Sequence, residues 1–204
     1  MAAAAKATNA REAPLDGRVA RSERTRAAIA EAMLALFREG ELRPTAPQVA
    51  ERAGVSLRSV FQHFEDMEAL NAAVAERQFE TLLNAMNLTP RDGPLDRRIE
   101  VFVAERAKLH ESITPVRRAA LLVEPFSKVI ASRLRWARRR GRTEVAKVFR
   151  IELESRLAAE RRELLEALTM AGSWSAWEAL RAHQGLSAAH AQRVMARTVR
   201  ALLQ

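Results

Sequence analysis

The run Thr45-Ala-Pro-Gln-Val-Ala-Glu-Arg-Ala-Gly-Val-Ser-Leu-Arg-Ser-Val-Phe-Gln-His63 carries two helix starts and one helix stop within a short stretch. Thr45 followed three residues later by Gln48 has the form of a capping box. The threonine hydroxyl can accept the Gln48 N–H while the glutamine side chain reaches back. Pro47 falls in the first turn, where a missing N–H costs nothing. Val49, Ala50 and Ala53 continue that helix, and Gly54 ends it by allowing the backbone a positive φ. Val55 plugs the angle, and Ser56 is a good N-cap for a second helix. The reading is helix, tight turn, helix. Ser56–His63 is too short to be stable alone and must be held by its neighbours. It exposes Leu57, Arg58, Ser59, Gln62 and His63. Arginine and glutamine have the fork geometries that read guanine and adenine edges in a major groove, and serine contacts phosphate or base. Phe61 and Phe64 read as core that holds this helix in place.

Working outward, Ile29, Met33, Leu36 and Phe37 form one helical face from Ser22 to the stop at Gly40. Residues 1–20 read as a flexible arm. Downstream, Asp66 caps a longer helix with Leu70, Val74, Phe79, Leu82, Leu83 and Met86 as its buried stripe. Thr89-Pro-Arg-Asp-Gly-Pro94 is the clearest break in the chain. Beyond it the spacing predicts helices over 95–112, 116–124, 126–141, 143–171, 173–184 and 187–203. Their punctuation comes from Pro115, Pro125, Gly141, Gly172 and Gly185, with caps at Thr143 and Ser187. No segment alternates as a strand does. The expected fold is all-α: a helix-turn-helix domain over 21–66, and a larger helical domain over 67–204.

The chain of 204 residues has a formal charge of +9, which suggests a polyanionic partner. The distribution qualifies that. Met1 to Met67 holds ten Lys/Arg against nine Asp/Glu, a net of +1, so most of the excess lies beyond it. Its densest piece is Arg133, Arg135, Arg138, Arg139, Arg140 and Arg142, readable as a solvated helix face or as an anion-binding surface. There is no cysteine, which removes disulfides and thiolate chemistry and suits a reducing cytoplasm. No segment has the apolar run of a signal peptide or a membrane span, so a soluble, cytoplasmic protein is expected. There is no Gly-rich phosphate loop, Gly-x-Ser-x-Gly elbow or His-Glu-x-x-His, and His63, His110, His183 and His190 are scattered. Neither an enzyme, a metal site nor a cofactor is expected.

From Thr25-Arg26-Ala-Ala-Ile29 through Leu36-Phe37, Thr45, Val49-Ala50, Ala53-Gly54-Val55-Ser56, Val60-Phe61-Gln62-His63-Phe64 and Glu68-Ala69-Leu70, the sequence resembles the tetracycline-repressor (TetR) family. The segment from Gly172-Ser-Trp-Ser-Ala-Trp177 to the end is similar to C-terminal tails of that family. The resemblance implies a three-helix DNA-binding domain. A fourth helix links it to a larger helical domain that dimerises and encloses a small-molecule pocket. It implies a repressor of a palindromic operator on double-stranded DNA, released by an effector. The DNA-facing candidates are Arg24, Arg26, Thr45, Ser56, Leu57, Arg58, Ser59, Phe61, Gln62 and His63. Phe61 stands where the family commonly has a phosphate-contacting tyrosine, and Met67 where it commonly has a lysine. An activator on the same scaffold, or a ligand-sensing interaction dimer with little specific DNA binding, is the alternative.

Phe102, Leu109, His110, Leu122, Phe126, Trp136, Phe149 and Trp174 are the candidates to line the pocket; plain core is the competing reading of the same spacing. Two stripes are candidate homodimer elements: Leu157, Leu164 and Leu168 on one late helix, Ala191, Met195 and Leu202 on the last. Each could instead serve the subunit's own core. A dimer is expected because one short recognition helix reads too few bases for specificity.

Overall fold

The computed structural model describes residues 13–85 and 92–204, with side chains described from Gly17 to Gln78 and from Asp92 onward. Ten α-helices make up the described chain, which contains no strand: α1 (Ala13–Arg38), α2 (Ala46–Ala53), α3 (Leu57–His63), α4 (Met67–Ala85), α5 (Leu95–Val123), α6 (Lys128–Val148), α7 (Arg150–Glu154), α8 (Ala158–Ala171), α9 (Trp174–Glu178) and α10 (Ala188–Leu203). A π-helical turn over Ala179–His183 continues α9. The chain divides into two compact units after Leu70, within α4.

In the N-terminal unit α1, α2 and α3 pack on one another. Ile29, Met33 and Phe37 from α1, Val49 from α2, Val60 from α3, and Phe64 are buried between them. Asp66 opens α4 by accepting the Ala69 N–H at 2.7 Å. The first helix begins at Ala13, so residues 13–20 are helical where an arm was expected. The rest of that arm, residues 1–12, lies outside the described residues, as do Met86 and Thr89–Arg91 of the expected break. The side chains of Phe79, Leu82 and Leu83 lie outside them too.

The C-terminal unit is built on α5, α6, α8, α9 and α10. Its core gathers Ile99, Phe102 and Val103 of α5 with Val148, Phe149, Leu168, Trp177, Met195 and Val199. Phe102 and Phe149 meet edge to face, centroids 5.2 Å apart, an arrangement aromatic quadrupoles favour.

Three expected boundaries differ. Pro115 does not end a helix; α5 runs through it, with Ile113, Val116 and Ala119 buried around it. Burial of that face offsets the lost backbone bond. Gly141 and Thr143 likewise lie inside α6, and the Thr143 hydroxyl donates to Arg139 O at 3.1 Å rather than capping a helix. Conversely, the helix expected over 143–171 is broken twice, at Phe149 and at 155–157. There the Ser155 hydroxyl donates to Glu152 O at 2.8 Å and Arg161 Nε to Leu153 O at 3.0 Å. These bonds satisfy carbonyls that end a helix, and apolar periodicity gives no sign of them.

Candidate nucleic-acid interface and ligand cavity

The turn between α2 and α3 is held by short-range bonds. Gly54 adopts φ 65°, in the left-handed region that favours glycine. The Val55 N–H donates to Ala50 O at 3.0 Å, and Ser56 Oγ accepts the Ser59 N–H at 3.1 Å. At the head of α2, Gln48 Oε1 accepts the Thr45 N–H at 2.8 Å, half of the expected box. The reciprocal half, the Thr45 side chain facing the Gln48 backbone, is present as well, and the Thr45 hydroxyl also donates to Gln48 Oε1 at 2.8 Å. Arg52 of α2 pairs with Glu39 at the end of α1.

The outer face of α3 presents Leu57, Arg58, Phe61 and Gln62, all exposed. Ser59 and His63 are half-buried, and Thr45, Ser56 and Arg24 are exposed. Phe61 is 48% exposed and corrects the expectation of core; at i, i+4 from Leu57 it forms an apolar pair flanked by Arg58 and Gln62. Phe64 is buried, and Arg26 explains how the helix end is held. Its guanidinium lies 4.2 Å over the Phe64 ring and Nη1 donates to the His63 carbonyl. Arg26 thus clamps the end of α3 as well as being exposed.

In the C-terminal unit a cavity of about 350 Å³ opens between α5, α6, α8 and the start of α9. Leu109, His110 and Trp174 of the expected lining are there, with Arg106, Ile113, Arg117, Met170 and Thr169. The other expected residues are elsewhere. Phe102 and Phe149 are sealed in the core, because their edge-to-face pair fills the space beside Gly172. Leu122 and Phe126 are exposed, Phe126 by 84%, at the α5–α6 corner. Trp136 lines a separate shallow groove with Lys128, Val129, Ser132 and Arg133.

His110 is buried, and its Nε2 lies 3.1 Å from Gly172 O. A carbonyl only accepts, so Nε2 carries the proton and Nδ1 is a bare acceptor without a partner. Burial first, then the Arg106 and Arg117 charges, hold its pKa down at about 3 against the pull of the Gly172 bond. The imidazole is therefore neutral. Arg106 is also buried, stacked 5.0 Å over Phe102, with Nη2 donating to Gly141 O at 3.3 Å. Arg117 stacks 5.5 Å over Trp174, whose Nε1 donates to Thr114 Oγ1 at 2.9 Å. Burial lowers both arginines to about 10. The sequence reading missed these two. Their signal was arginine at i and i+11 on the same face of α5 as Leu109 and Ile113, where an apolar residue is the norm.

The arginine-rich part of α6 is largely paired: Arg138 with Glu124 at 3.0 Å, Arg140 with Glu144 at 3.2 Å, Arg142 with Glu166 at 2.8 Å, and Arg133 with Glu76. The candidate dimer stripes are also mostly spent within the subunit. Leu168, Ala191 and Met195 are sealed in the core, while Leu164 and Leu202 pack against it. Leu157 stays exposed, by 75%. Stripes of that spacing serve α8–α10 packing. Among the described residues no three metal-ligating side chains come together, and no helix is long and apolar enough to cross a membrane.

No protein-family model and no curated protein matches the sequence. The fold does match solved structures. A transcriptional regulator from Rhodococcus sp. Rha1 superposes with a TM-score of 0.67 at 19% identity, over 90% of this chain and 96% of that one. A TetR-family transcriptional regulator from Streptomyces coelicolor does so at 0.69 and 16%, over 88% and 80%. A transcriptional regulator from Aquifex aeolicus VF5 gives 0.60 at 15%, over 87% and 99%. In fold, this all-α chain resembles the TetR-family transcriptional regulators.

Proposed function

We propose that this protein is a DNA-binding transcriptional regulator of TetR type rather than an enzyme. It acts in the cytoplasm as a homodimeric repressor of a palindromic operator and is released by a small-molecule effector. The observation that carries the reading is α3. This short helix is fixed by Gly54, Ser56 and the Arg26 clamp, and its outer face holds Leu57, Arg58, Phe61 and Gln62 in the open. Arg58 and Gln62 suit base edges, and the apolar pair suits thymine methyl groups. Arg24 and the helix-1 arginines add phosphate contacts that position the helix. Two copies related by a two-fold axis would engage half-sites about 34–36 Å apart or a multiple of that.

The cavity supports an effector-responsive role. An effector that prefers one conformation lowers operator affinity by its differential binding to the two states. Helix α4 contributes residues to both units, which makes it the natural carrier of the coupling.

The test is selection from a random-sequence duplex library by the purified protein and by Arg58→Ala. Enrichment of a palindrome that the variant no longer selects supports the reading. No enrichment at low salt would leave only sequence-independent attraction and overturn it in favour of a ligand-sensing dimer.

A further inference from the structure

We propose that the cavity of the C-terminal unit takes an organic acid as its carboxylate, held by Arg106 and Arg117, with its apolar body against Leu109, Ile113 and Trp174. The inference rests on the cavity being the effector site and names the chemistry of that effector.

Charge compensation carries the argument. Buried charges are normally paired, because desolvation of an unpaired ion costs several kcal/mol. Buried Arg98 obeys that rule by pairing with Glu152, and even the more exposed Arg118 and Arg181 pair with Glu178 and Glu111. Among the cavity-lining charges, Arg138 is committed to Glu124 and Glu166 to Arg142. Arg106 and Arg117 are different. Among the described residues neither has a carboxylate within ion-pair distance. Glu144 attracts Arg106 from farther off but is engaged by Arg140 and Lys147 at 3.2 and 3.3 Å. Glu124 likewise attracts Arg117 from farther off but is engaged by Arg138 at 3.0 Å, and Arg117 Nε is buried with no hydrogen-bond partner. The cavity therefore carries incompletely compensated positive charge on two guanidiniums, whose donor forks match a carboxylate. The lowered pKa of each is the cost of that burial, which a bound anion would relieve.

The remaining wall is apolar. Arg106 and Arg117 lie on one face of α5, ~16 Å apart along its axis at ~1.5 Å per residue, with Leu109 and Ile113 between them. That order of cation, apolar surface and cation suits a small acid with a hydrocarbon or aromatic body. A cation would be repelled, and a neutral molecule would leave both guanidiniums unpaired. The volume of about 350 Å³ is at the lower end for small-molecule sites, so the ligand is compact.

The test is calorimetric titration of the full-length protein with straight-chain monocarboxylates from acetate to decanoate, benzoate, the dicarboxylate suberate, and octanol as the uncharged match for octanoate. The expectation is that at least one carboxylate binds about tenfold or more tighter than its uncharged counterpart, the scale of one charge-assisted hydrogen bond. Arg117→Met should remove that preference while leaving octanol binding unchanged, and Arg117→Lys should restore part of it. Arg106→Met should do the same; if it does not fold, the half-buried Arg117 carries the test. Loss on changing either arginine for a monoacid means that both hold one carboxylate, whereas preference for suberate means one at each end. Equal binding of octanol and octanoate, equal loss of both on Arg117→Met, or no binding by any carboxylate overturns the proposal. The titration contains no DNA. A carboxylate that binds without changing operator affinity keeps the ligand class and removes only the regulatory reading.

Discussion

Arg58 on α3 and Arg106 on α5 have the same side chain in opposite circumstances. Arg58 is exposed on a helix whose start is set by bonds between residues three to five apart, such as Ser59 N–H to Ser56 Oγ. Arg106 is buried against Phe102, and its hydrogen bond reaches Gly141, 35 residues away in sequence. An exposed arginine keeps its hydration and waits for a polyanion at little cost. A buried one keeps its charge only where the surrounding helices are arranged around it. The start of α3 is therefore set locally and the cavity is tertiary, and the two regions should respond differently to mutation and to pH.

The largest expected effect breaks the tertiary frame. Arg98 at the start of α5 is 2% exposed and donates to Val148 O at 2.6 Å, to Gly93 O at 3.1 Å and to Glu152. Burial alone would raise the Glu152 pKa, but the Arg98 hydrogen bonds, a backbone hydrogen bond and the Arg98 charge together hold the carboxyl below its usual value. Arg98→Met leaves a buried carbonyl and a carboxylate without their partner. We expect a loss of about 3–5 kcal/mol in urea denaturation of the C-terminal unit. A loss below about 1 kcal/mol would show that the unit is held by apolar packing alone.

The second effect is a pH dependence centred on His110. Its folded pKa is lowered from 6.5 to about 3, so folding favours the neutral ring. Below pH 6.5 the unfolded chain takes up a proton that the folded chain refuses until about pH 3. Stability therefore falls as the pH drops through that window, by up to about 1.4 kcal/mol per pH unit. His110→Gln should flatten the slope between about pH 6.5 and 5.5, above the range in which Glu111 and Glu152 protonate in the unfolded chain, when denaturation midpoints of the two proteins are compared. An unchanged slope would mean that the ring is not held away from water and charge as the structure places it.

A smaller effect tests how tightly the cavity floor is packed. A Cβ on Gly172 would lie 2.8 Å from Cζ of Phe102, a ring that is itself 1% exposed and locked against Phe149. The Gly172 backbone, φ −88°, would suit any residue, so the cost of Gly172→Ala is steric, about 1–3 kcal/mol. Thermal denaturation measures it. A neutral result would show that Phe102 can retreat, and with it the cavity wall.

The same division explains what was legible in the sequence. The stops and caps of α2 and α3, the exposed Arg58 and Gln62, and the all-α class depend on residues a few positions apart, and spacing exposes them. The cavity does not. Leu109, His110 and Trp174 come together only through packing of α5, α8 and α9, and no spacing distinguishes them from Phe102 and Phe149 in the core beside them. Pro115 and Gly141 read as breaks because local propensity is the only term a sequence shows; burial of Ile113, Val116 and Ala119 overrides it at Pro115, and α6 runs on past Gly141 to buried Val145 and Val148. The stripes on α8 and α10 have the right period for an interface, but period does not say which neighbour they meet.

Phe61 is the position where the local reading itself failed, and it gives the smallest stability effect. A phenylalanine between Val60 and Phe64 reads as core, and truncating a core phenylalanine costs about 3–5 kcal/mol. In a seven-residue helix, however, Val60 and Phe64 already fill the inward face, and Phe61 points 48% outward beside Leu57. Phe61→Ala should therefore change stability by less than about 0.5 kcal/mol while weakening binding to any operator recovered by library selection. A stability loss above about 2 kcal/mol, measured by urea denaturation, would return Phe61 to the core and leave Arg58 and Gln62 alone on the recognition face. An unchanged stability with unchanged DNA affinity would instead separate exposure from recognition. The apolar half of the α3 face would then carry no part of the readout.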